Sequence, residues 1–77
     1  MDQSKTGGLI RALRTQKGLT QKVLAEAVGV GDKAVSKWER GLGCPDVSLL
    51  PELSRVLGVG LEALLSGQID ANDQERG

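Results

Sequence analysis

Lys33, Ser36, Lys37 and Arg40 recur three and four residues apart, the spacing that gathers side chains on one face of a helix. Three cations around a hydroxyl suit phosphate oxygens and the acceptor edge of guanine rather than bond cleavage. The rest of the inventory excludes most chemistry. The sequence holds no histidine, tyrosine or phenylalanine, one cysteine (Cys44) and one tryptophan (Trp38). Zinc takes about four Cys or His ligands, and a Ser-His or Cys-His pair needs an imidazole. A lone thiol closes no intrachain disulfide, so Cys44 is expected to be an inert loop side chain. We therefore expect no enzyme, no cofactor and no metal.

Ten basic and ten acidic residues cancel over the 77-residue chain, but they are sorted along it. Residues 5–40 carry eight cations (Lys5, Arg11, Arg14, Lys17, Lys22, Lys33, Lys37, Arg40) against Glu26, Asp32 and Glu39. Residues 41–77 carry Arg55 and Arg76 against six acids. One half can face a polyanion while the other turns away. The length allows one domain, and no apolar run approaches the ~20 residues of a membrane span. The opening MDQSKTGG lacks the layout of a secretion signal, which predicts a soluble, cytoplasmic protein.

The elements that position the cationic group follow from helical periodicity punctuated by glycines. Thr6 is read as the cap of a first helix over Gly7–Gln16, with Ile10, Leu13, Arg14 and Lys17 on its inner stripe. Thr20 caps a second helix, Gln21–Val28, with Leu24, Ala25 and Val28 inward and Gly29 as its left-handed stop. A tight turn plugged by Val30 leads to a third helix, Asp32–Arg40. Two short helices so joined form a helix-turn-helix. Ser48 is read as the cap of a fourth helix that tolerates Pro51 near its start and runs to Leu57, with Leu49, Leu50, Leu53 and Leu57 inward. A fifth, Leu61–Ser66, is expected to bury Leu61, Leu64 and Leu65. The fold class is all-α. A flexible N-terminus (1–5), one domain (6–67) and a disordered acidic tail or linker (68–77) complete the layout.

Advancing about 100° per residue from Asp32, Ala34, Val35 and Trp38 fall together while Lys33, Ser36, Lys37 and Arg40 gather opposite them. The third helix thus has an apolar back and a cationic front, and its N-terminus adds the positive end of the helix dipole. Two charges are out of place: Arg14 on the apolar stripe of the first helix and Glu39 at the edge of the apolar back of the third. A half-buried charge needs a counter-charge, and the expectation is that these two pair, with Trp38 in the core beside them.

The string GLTQKVLAEAVGV, then AVSKWERG, then PDVSLLPELSRVLGV and LEALLSG, resembles the phage-repressor/Cro-type helix-turn-helix family, the XRE-like regulators, over residues 7–67. The resemblance implies a compact five-helix bundle of the lambda-repressor-like type that binds double-stranded DNA and regulates transcription, usually as a dimer on a palindromic operator. Position by position, it implies that Lys33, Ser36 and Lys37 face bases, with Asp32 at the leading edge as an acceptor from cytosine. Gln21 would touch a phosphate and buttress the third helix. Arg14 and Glu39 match the family's buried ion pair. Arg40 and the amides from Gly41 to Gly43 match the segment that lies along the nucleic-acid backbone, and Lys22 would add a phosphate contact. The sequence departs from the family at Gly31 and Gly60, helix starts that are commonly Ser or Thr.

The expected action is binding of the third helix in the major groove, with Lys33 and Lys37 on guanine O6/N7 or on neighbouring phosphates and Ser36 on a base or a phosphate. A weak homodimer through the fourth and fifth helices would set two reading helices about 34 Å apart. Repression is the direction the resemblance implies. The rival is a protein-interaction module on the same fold, for which an exposed apolar patch on the last two helices would speak.

Overall fold

The computed structural model describes residues 1–67. The expectation for 68–77, a disordered acidic tail, lies outside those residues. Five α-helices form in order: α1 Gln3–Gln16, α2 Gln21–Val28, α3 Asp32–Glu39, α4 Leu50–Leu57 and α5 Leu61–Ser66, with a 3-10 turn, Val47–Leu49, ahead of α4. Among the described residues there is no strand, and no helix is long and apolar enough to cross a membrane.

Each helix contributes one apolar stripe to a single core. Ile10 and Leu13 come from α1, Leu24, Ala25 and Val28 from α2, Val35 and Trp38 from α3, Leu50, Leu53 and Leu57 from α4, and Leu64 from α5. Burying a side chain of this size stabilises the fold by about 1.5–3 kcal/mol, so the core stands without a crosslink. The α2 and α3 boundaries match the periodicity, except that Arg40 closes α3 as its C-cap instead of belonging to it.

Three expectations for α1 are corrected. The first helix begins four residues earlier than read, at Gln3, where Asp2 is the cap and its Oδ1 accepts the Lys5 N–H at 3.0 Å. Thr6 is no cap: it is buried inside α1 and its hydroxyl donates to the Leu64 carbonyl at 2.8 Å, joining α1 to α5. Gly7 and Gly8 hid this start, because each glycine inside a helix costs about 0.5–1 kcal/mol relative to alanine and reads as a boundary. Lys17 is the exposed C-cap of α1, not part of its inner stripe.

Ser48 is no cap: it lies inside the 3-10 turn that Asp46 caps, and α4 itself starts from Leu49 without a side-chain cap bond. The Asp46 carboxylate accepts the Ser48 N–H at 3.0 Å and opens the 3-10 turn. In α5, Leu64 and Ala63 are buried, whereas Leu61 and Leu65 remain 44% and 45% exposed. A six-residue helix has room for one inward stripe, and at about 100° per residue Leu61 and Leu65 share a face turned away from Ala63 and Leu64.

Candidate nucleic-acid interface

The α2–turn–α3 unit is set by local chemistry at each joint. The Thr20 hydroxyl oxygen accepts the Val23 N–H at 3.0 Å, starting α2. Gly29 ends it at φ +80°, a left-handed conformation that costs a residue with a Cβ about 1–2 kcal/mol. The Val30 N–H then donates to the Ala25 carbonyl at 2.9 Å, while the half-buried Val30 side chain packs against the core. Gly31 starts α3 without a side-chain cap.

α3 is divided along its length. Val35 is fully buried, Trp38 is 6% exposed, and Ala34 packs half-buried beside them. On the other side Asp32, Lys33, Lys37 and Arg40 are exposed and Ser36 is half-buried. Lys33 and Lys37, one turn apart, therefore share an unobstructed face with Ser36 between them. The Arg40 Nε donates back to the Ser36 carbonyl at 3.3 Å, laying its stem along the last turn of α3.

Two contacts with α1 fix the pose of α3. The first is polar. Arg14 grips Glu39 with two N–H groups, Nε to Oε2 at 2.6 Å and Nη2 to Oε1 at 3.0 Å, and spends a third, Nη1, on the Leu19 carbonyl at 2.7 Å. The side chains are 12% and 3% exposed. Burial pushes the Glu39 carboxyl up, but hydrogen bonds from Arg14 and Gln21 and the charges of Arg14 and Arg11 outweigh it, holding it below the ordinary carboxylate range. The hydrogen bond to Glu39 likewise raises Arg14, against the opposing effect of burial. Both stay charged at neutral pH.

The second contact is steric. A Cβ at Gly7 would lie 1.8 Å from the Trp38 carbonyl oxygen and 3.3 Å from the Glu39 Cα. Backbone meets backbone there, which only glycine permits. Sequence reasoning missed this role for Gly7. The available signal was a Gly-Gly pair within an otherwise continuous helical pattern.

Two residues assigned to phosphate contact are placed differently from a simple outward presentation. The half-buried Gln21 turns its side-chain amide inward, Nε2 donating to Glu39 Oε1 at 3.1 Å, so it joins the start of α2 to the end of α3. In the closing turn, the Gly41 N–H donates to the Trp38 carbonyl at 3.0 Å and the Leu42 N–H to the Lys37 carbonyl at 2.9 Å. Those two amides are spent on ending α3. Of the three expected along a nucleic-acid backbone, only that of Gly43 has no acceptor among the described residues. Lys22 is exposed on the first turn of α2, where the amides of Gln21 and Lys22 lack intrahelical acceptors.

Residues 10–64 match the helix-turn-helix family HTH_3. The chain belongs to this family. It is 44% identical over 59 residues to the HTH-type transcriptional activator BcrR of Enterococcus faecalis, covering 77% of this chain and 29% of that protein. It is 36% identical over 61 residues to the SPbeta prophage-derived uncharacterized HTH-type transcriptional regulator YonR of Bacillus subtilis, covering 79% and 56%. The chain thus spans under two-thirds of either relative. Among solved structures, the P22 c2 repressor protein in complex with synthetic operator 9T superposes with a TM-score of 0.77 at 36% identity, over 82% of this chain and 96% of that one. The all-α bundle is that of the lambda-repressor-like DNA-binding type, and α2 and α3 are its helix-turn-helix.

Proposed function

We propose that this protein binds double-stranded DNA at a preferred sequence and regulates transcription through its five-helix domain. The observation that carries the reading is the division of α3: Val35 and Trp38 are held in the core while Lys33 and Lys37 stand free on the opposite face. A helix fixed from behind and cationic in front fits the major groove. In this reading Asp32, Lys33, Ser36 and Lys37 meet base edges, the lysines taking guanine O6/N7 and Asp32 a cytosine amine. Lys22, Arg40, the free amide of Gly43 and the first-turn amides of Gln21 and Lys22 take phosphates and set register. Gly41 serves this segment by turning the chain, not by donating.

Leu61 and Leu65, exposed one turn apart on α5, are the surface we assign to a homodimer, which suits a palindromic site. The same leucines favour the rival, docking of a different protein. Sedimentation of the purified chain separates the two, because self-association needs no second component. We infer repression, the direction that the resemblance to phage-repressor-type regulators implies. No catalytic role is proposed, and the site of action is the cytoplasm.

Selection of duplexes from a random pool tests the whole reading, returning half-site sequence, spacing and symmetry together. Lys37→Ala, titrated by anisotropy against the selected duplex, should lose about 1–3 kcal/mol and relax the preference at one position. Unchanged affinity and preference for this variant would refute the placement of α3.

A further inference from the structure

Arg11 is an exposed cation on α1 that the interface described above does not use. Its place in the helix is defined by its neighbours in the stripe. Gly7, one turn before it, touches the backbone of Trp38 and Glu39, and Arg14, one turn after it, grips the Glu39 side chain. A residue between two such anchors at helical spacing lies along the same edge of α1, beside the C-terminal end of α3. Its charge reaches Glu39, helping to keep that carboxyl ionised. Glu39 already takes three N–H groups, however, two from Arg14 and one from Gln21. Among the described residues nothing hydrogen bonds to the Arg11 guanidinium itself.

We propose that Arg11 is a phosphate-binding residue, reaching from α1 to the DNA backbone at the edge of the groove that α3 occupies. The proposal rests on the duplex-binding reading above and extends its footprint to a second helix. The physical reason is juxtaposition. Arg40 lies along the last turn of α3, and Arg11 stands next to that turn on the other helix. The two cations flank the point where a strand would leave the groove. A guanidinium suits this position because its planar fork can take two oxygens of one phosphate. The contact carries no base information, so it strengthens binding uniformly across sequences.

The test measures the salt dependence of affinity for a short labelled duplex carrying the sequence that the wild-type protein enriches from a random pool. Removing one phosphate contact should make the slope of log affinity against log salt shallower by about 0.9. Between 50 and 200 mM salt, the affinity ratio of wild type to Arg11→Ala should therefore fall about 3.5-fold. Base preference should be unchanged, and Arg11→Lys should recover most of the slope. An Arg11→Ala slope equal to that of wild type overturns the proposal, even if affinity drops, since a drop independent of salt is what loss of helix packing gives. Should Arg11→Ala lose its cooperative unfolding, Arg11→Gln keeps most of the stem and is measured instead. Wild-type protein that binds no duplex would instead sink the reading on which the proposal rests, a result distinguishable from equal slopes.

Discussion

Replacing Arg14 by methionine keeps the aliphatic stem and removes three N–H donors, two of them on Glu39 and one on the Leu19 carbonyl. Glu39, with its side chain 3% exposed, would be left with Gln21 as its remaining hydrogen-bond donor. Breaking a buried pair from one side costs about 3–5 kcal/mol. The retained Gln21 bond and the nearby charge of Arg11 place the loss at the lower end, about 3 kcal/mol. For a domain of this size that is a fall in Tm of roughly 12–24 °C. Replacing both partners removes the orphaned charge, so Arg14→Met with Glu39→Met should cost much less than the sum of the single changes. Urea unfolding followed by Trp38 fluorescence reads the cycle directly, since this tryptophan is the chain's single aromatic side chain and adjoins Glu39. A loss under about 1 kcal/mol for Arg14→Met, or single changes that simply add, would refute the account of how α3 is held.

Acidification should act through the same carboxylate. Its folded pKa lies below the ordinary value of 4.5, so its contribution is complete above that value and is lost as pH falls through the folded pKa. Wild type should lose stability below pH 4.5 more steeply than Glu39→Gln, with the remaining slope shared by groups such as Asp46, whose carboxyl Ser48 also holds down; parallel acid limbs for the two proteins would contradict this. Adjacent glycines should respond oppositely to alanine. Gly7→Ala drives a Cβ into the Trp38 carbonyl and should cost about 3 kcal/mol or more, whereas Gly8→Ala meets nothing within 4 Å and should gain about 0.5–1 kcal/mol. Thermal unfolding followed by circular dichroism decides this, and equal effects at the two positions would discount the helix contact.

The helix-turn-helix was legible because its information is local. Thr20, Gly29 and Val30 each act within a few residues, and the two faces of α3 follow from a single period. The Arg14–Glu39 pair was legible for a different reason: two charges stood on apolar stripes, and the cost of leaving either alone demanded a partner. What sequence did not reveal depends on which backbone arrives opposite. Thr6 looks like a cap until α5 presents the Leu64 carbonyl to its hydroxyl. Gly7 looks like a helix boundary until α3 crosses it. In each case the residue's local preference is weaker than a tertiary contact that no spacing rule encodes.

The placement of Glu39 also explains why a small core supports so short a helix as α3. α3 is eight residues long, too short to be stable alone, and its start at Gly31 has no side-chain cap. Its helicity must therefore be imposed from outside, by burial of Val35 and Trp38 and by the two anchors on α1. Both anchors engage the last turn, while the first turn is held by Val35 in the core. An apolar substitute for the ion pair could match its stability, and the rotation of α3 is set as well by Val35 and Trp38 in the core and by the Gly7 contact. The bidentate grip, the Gln21 bond and the Leu19 carbonyl add directional links that join α1, the start of α2 and the end of α3. It follows that loosening Arg14 should disturb duplex recognition at conditions where the protein is still folded, because the front of α3 is aimed by the groups behind it.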